Sequence, residues 1–71
     1  MRIRYTAHAT VRLRERNISQ REVKEVLHKG RKRLAQGGLM ECTHKMAQGN
    51  LVLIYNIMGT ADYQIITVYW Q

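Results

Sequence analysis

A chain of 71 residues, 45% of them hydrophobic, can build one small core and not two, so a single domain over residues 1–71 is expected. Its one cysteine, Cys42, rules out an internal disulfide, no Cys/His set has zinc-site spacing, and the longest apolar run, Leu51 to Tyr55, is too short for a membrane span. No metal or other cofactor is therefore expected, and a cytoplasmic location is. Lys and Arg number 12 against 5 Asp and Glu, and eleven of those cations lie before Leu34 with only three acidic residues. That asymmetry points to a polyanion, with nucleic acid foremost; a solubilising surface or an acidic protein partner are the alternatives.

In chain order, Arg2 to Tyr5 can open the fold as a short strand. Thr6 is a good N-cap for a helix over residues 7–16, which contains neither Gly nor Pro, and Asn17 can end it in the left-handed conformation. Ser19-Gln20-Arg21-Glu22 has the capping-box form, and Val23, Val26 and Leu27 line one face of a second helix that runs to about Lys29. Gly30 is the natural residue to terminate it.

Beyond Gly30, glycines at 37, 38, 49 and 59 punctuate runs rich in β-formers, and strands are expected over residues 31–36, 39–46, 50–58 and 63–70. Leu51-Val52-Leu53-Ile54 and Ile65-Ile66-Thr67-Val68 are nearly continuous apolar runs and should be central. The fold class is α+β: two N-terminal helices packed on a C-terminal antiparallel sheet of three to four strands, with the other sheet face left partly open as a groove or a homodimer contact.

His8, Arg12 and Arg16 recur every fourth residue on the first helix and form one stripe. A histidine that accepts a proton, arginines that stabilise a phosphoryl group and an acid that protonates the leaving oxygen are the parts of metal-free RNA cleavage through the ribose 2′-hydroxyl. The acid can come from Tyr69 or His44. Against this stands the plainer reading of the stripe as solvated helix surface. Arg4 and Arg14 widen the basic surface, and Lys29, Arg31, Lys32 and Arg33 form its densest run, suited to phosphate contact. Tyr55, Tyr63, Tyr69 and Trp70 fit a core better than a stacking platform, His28 reads as a helix-end residue, and Cys42 reads as a small buried apolar residue.

Residues 8 to 27, H-A-T-V-R-L-R-E-R-N-I-S-Q-R-E-V-K-E-V-L, resemble the opening of a small prokaryotic family of unknown function. The likeness is carried by His8, Ala9, Arg12, Leu13, Glu15, Arg16, Asn17, Ile18, Ser19, Val23, Val26 and Leu27. It extends to the aliphatic-Tyr strand Leu51 to Tyr55 and the closing Ile66-Thr67-Val68-Tyr69. That family is similar in architecture to RelE- and ParE-like toxins, whose ribonuclease members cleave RNA without metal and whose gyrase-directed members are not nucleases. The resemblance implies a RelE-like fold, with His8, Arg12, Thr67 and Tyr69 as candidate functional positions. The function expected is a toxin-like RNA-binding domain of toxin–antitoxin type, with metal-independent ribonuclease activity as its sharpest form. The alternative is a non-catalytic module whose basic helical face docks nucleic acid or an acidic, antitoxin-like protein.

Overall fold

The computed structural model describes residues 1–71, arranged as strand β1 (Arg2–Tyr5), helices α1 (Ala7–Glu15) and α2 (Gln20–Lys29), then strands β2 (Arg31–Leu34), β3 (Met40–Met46), β4 (Gly49–Gly59) and β5 (Asp62–Trp70). Local chemistry sets the helix ends. The Thr6 hydroxyl accepts from the Ala9 amide at 3.0 Å and donates to the Ile66 carbonyl at 3.2 Å, so one side chain starts α1 and ties it to β5. Asn17 takes up the left-handed conformation at φ 54°, where a short polar side chain is tolerated. At α2 the capping box is complete: the Glu22 amide donates to Ser19 Oγ at 3.0 Å and the Ser19 amide to Glu22 Oε1 at 2.9 Å.

The sheet runs in the order β1-β5-β4-β3-β2. Strands β2 to β5 form the expected antiparallel meander, with β4 at the centre of the sheet. The sheet is larger than the three to four strands expected, however, and it is mixed, because β1 pairs in parallel with β5. The cause is visible in β1, where Ile3 and Tyr5 turn in against the core while Arg2 and Arg4 stay exposed. Four residues are too few for alternation alone to reveal such a partner.

Both helices cover one sheet face. Ala9 and Leu13 of α1, Ile18, and Val23, Val26 and Leu27 of α2 close on Cys42, Leu51, Leu53, Tyr55, Ile65 and Val68 in one hydrophobic cluster. Tyr55 is buried, meets Tyr63 edge-on with ring centroids 5.6 Å apart, and burial pushes its phenol pKa up to about 12. Val52 is also buried but lies outside that cluster, on the opposite side of β4.

Gly30 ends α2 as expected, its amide donating to the Val26 carbonyl, and does so in an extended conformation at φ −75° and ψ 165°. A glycine is needed there for closeness: a Cβ would stand 2.6 Å from Cys42 Sγ, 2.6 Å from the Val26 carbonyl oxygen and 2.9 Å from that of Thr43. Gly30 thus lets the end of α2 lie against β3. Strand β2 also stops at Leu34, earlier than expected, because Gln36–Gly38 form a single 3-10 turn with Gly37 and Gly38 at positive φ.

Candidate nucleic-acid interface

The cross-strand register decides which cations share a surface. Arg31 lies opposite Thr43, Thr43 opposite Val52, and Val52 opposite Tyr69. One step along, Arg33 faces Glu41, Glu41 faces Ile54, and Ile54 faces Thr67. Directly opposed residues project to the same side of a sheet, so both rows lie on the face away from the helices.

Strand β3 continues to Met46, three residues past the Thr43 opposite the first residue of β2. This mismatch leaves a solvent-open cleft of about 600 Å³ at the corner of the sheet, with no hydrophobic side chain in its lining. Lys29, Arg31, Arg33 and Lys45 supply four cations, and Thr43, His44 and Asn50 supply further polar groups. Glu41, the only carboxylate side chain there, is engaged by Arg33 Nε at 2.9 Å. Lys29, Arg31 and Lys45 form no ion pair. Several uncompensated cations around one concavity focus a positive potential that attracts phosphate.

The structure divides the residues of the basic run. Lys29, Arg31 and Arg33 reach the cleft, but Lys32 points to the helix side, where its Nζ donates to the Leu27 carbonyl at 2.6 Å and so caps the last turn of α2. Arg4 is held by Asp62 at 3.1 Å near the far edge of the sheet, and Arg14 is exposed on α1. Lys45 escaped sequence reasoning because it is the one cation after Arg33 and no local pattern marks it. Only the β2–β3 register brings it beside Arg31.

His8 and Arg12 lie on α1, and Arg16 follows as its C-cap. His8 is exposed in the first turn of α1 without a hydrogen-bond partner, while Arg12 pairs with Glu15, which also stands 3.9 Å from Arg16. The indole N–H of Trp70 donates to the Arg16 carbonyl at 3.4 Å and joins the end of β5 to the end of α1. Tyr69 is not brought to the stripe. Its neighbour Val68 is buried against the helices and its cross-strand partner is Val52, so Tyr69 projects from the other face. His44, the other acid considered, lies on β3 with Nε2 3.8 Å from Glu25 of α2.

Cys42 is fully buried, its thiol donates to the Val26 carbonyl at 3.1 Å, and burial pushes its pKa up, opposed in part by Lys32. It is the packed, unreactive residue the sequence suggested. No helix is long and apolar enough to cross a membrane, and no group of three or more His, Cys, Asp or Glu side chains could hold a metal ion.

A family model described as a domain of unknown function, DUF4258, matches residues 5–70. The chain belongs to this family. The matched span of this DUF4258 domain includes α1, α2 and every strand except most of β1. No curated protein and no solved structure matches it.

Proposed function

We propose that this DUF4258 domain binds RNA through the cationic cleft at the β2–β3 corner. The observation that carries this reading is the convergence of Lys29, Arg31, Arg33 and Lys45 on one cleft that contains a single carboxylate side chain and no apolar one. An acidic protein partner would need apolar anchors beside the charges, since the energy of protein interfaces is concentrated in buried aromatic and aliphatic contacts. Phosphates need only cations and polar donors. RNA is chosen over DNA only on the resemblance of residues 8 to 27, which implies an architecture like that of RelE- and ParE-like toxins, a group with both ribonuclease and gyrase-directed members.

Toxin-type, metal-independent cleavage is the second reading, favoured by the exposed and unpartnered His8 on the same helix as Arg12, with Arg16 at that helix's C-cap. Its acid would have to come from a group other than Tyr69, which projects from the opposite sheet face.

Fluorescence anisotropy with a labelled RNA over a salt series tests the first reading, and RNA integrity after incubation with and without chelator tests the second. Affinity that falls steeply with salt is expected, and affinity indifferent to salt rules out phosphate recognition. Cleavage that persists unchanged in His8→Ala and Arg12→Ala would exclude the stripe as its source.

A further inference from the structure

The aromatic residues of the sheet are unequally committed. Tyr55 is buried against Tyr63, Trp70 packs on the core and donates to Arg16, and Tyr5 and Tyr63 also pack on the core from the helix side. Tyr69 alone is left on the free face, partly exposed and opposite the buried Val52, which gives its ring an apolar support. It stands in the same cross-strand row as Arg31, with Thr43 and Val52 between them. Three strand spacings separate the two ends of that row, about 14 Å.

We propose that the free face of the sheet is a platform for single-stranded RNA, on which Tyr69 stacks an unpaired base while the adjoining phosphates run along the Arg31 row into the cleft. This rests on the RNA-binding reading above and adds strand selectivity to it. Stacking on an aromatic ring requires a base free of its neighbours, so a duplex, whose bases are already stacked inside, can use the cations and not the tyrosine. Thr43, between Arg31 and Val52, adds a hydroxyl donor along the path, and the Glu41 charge one row away is offset by Arg33. Tyr69 thereby acts as a base contact rather than as the proton donor of a catalytic set.

The test measures binding of a single-stranded oligoadenylate and of a blunt RNA duplex of equal length at one low salt concentration. The proteins compared are the full chain, Tyr69→Leu, Tyr69→Phe and Arg31→Gln. The proposal expects Tyr69→Leu to weaken the single strand about tenfold and leave the duplex unchanged, with Tyr69→Phe close to the unmodified protein. Arg31→Gln should weaken both ligands. Equal losses for both ligands in Tyr69→Leu, or no loss for either, overturn the platform while leaving the cationic cleft intact. Failure of Arg31→Gln to weaken either ligand removes the RNA reading itself. Should Tyr69→Leu not fold, photo-crosslinking of the unmodified protein to a 5-iodouridine oligonucleotide decides the matter: an adduct at Tyr69 supports stacking, and adducts confined to other residues overturn it.

Discussion

Thr43 lies directly opposite Arg31 in the β2–β3 ladder, and this pairing carries Lys45, two residues further along β3, to the same side of the sheet as Arg31 and Arg33. Four cations from two separate stretches of chain thereby line one cleft. The pairing depends in turn on how closely the end of α2 approaches β3, which Gly30 controls.

Gly30→Ala should therefore destabilise the fold. The added methyl group would meet Cys42 Sγ and the Val26 carbonyl oxygen at 2.6 Å, too close for either to accommodate without moving packed backbone. Overpacking of this kind costs about 1–3 kcal/mol. Thermal unfolding followed by circular dichroism should show a fall in Tm of several degrees; an unchanged Tm would mean that the α2–β3 contact is looser than this geometry.

Ala61 offers the opposite case. It holds the left-handed conformation at φ 50° in the turn between β4 and β5, where an L side chain is disfavoured and glycine is not. Its carbonyl accepts the Arg2 amide at 2.8 Å, a bond that glycine would keep. Ala61→Gly should stabilise the protein by about 0.5–1 kcal/mol, the steric relief exceeding glycine's greater unfolded-state entropy. The same melting experiment checks it, and a lowered Tm would contradict it.

Alkaline pH should weaken the fold through Tyr55. Burial raises its pKa from 10.0 to about 12, so the folded state favours the neutral phenol more than the unfolded state does. The stabilising contribution is complete below pH 10.0 and is lost as pH rises through about 12. Desolvation raises Tyr5 and Cys42 in the same direction. Denaturant midpoints measured from pH 9 upward should fall across this window, and the fall should be shallower in Tyr55→Phe.

The elements legible from sequence were those fixed by local chemistry. The Thr6 cap, the Ser19–Glu22 capping box and the left-handed Asn17 each depend on residues within a few positions, and all form as read. The central strands were legible because Leu51, Val52, Leu53, Ile65 and Val68 are apolar beyond what a one-sided strand needs, and all are buried. What escaped was long-range pairing. The partner of β1 lies at the other end of the chain, with Arg4 bonded to Asp62 across 58 positions, and four alternating residues do not specify that partner. The role of Gly30 was hidden for the same reason, since its demand for a missing side chain comes from Cys42 and Thr43 on another element. On the candidate site, the Lys29–Arg33 run identified three of the four cations, yet it gave no means of separating Lys32, which caps α2, or of finding Lys45. His8 and Arg12 share α1 with Arg16 at its C-cap, while strand alternation places Tyr69 on the opposite sheet face.

The most direct measurement compares two charge-matched triple variants for RNA affinity over a salt series. One is Arg31→Gln/Arg33→Gln/Lys45→Gln in the cleft, and the other is Arg14→Gln/Arg21→Gln/Lys24→Gln on exposed helical surface. With each phosphate contact contributing about 0.7 to the salt slope on a single strand, the cleft variant should lose about two from that slope, while the helical variant keeps most of it. Equal losses in the two variants would show that net charge alone attracts RNA, and an unchanged slope in the cleft variant would place the contacts elsewhere on the molecule.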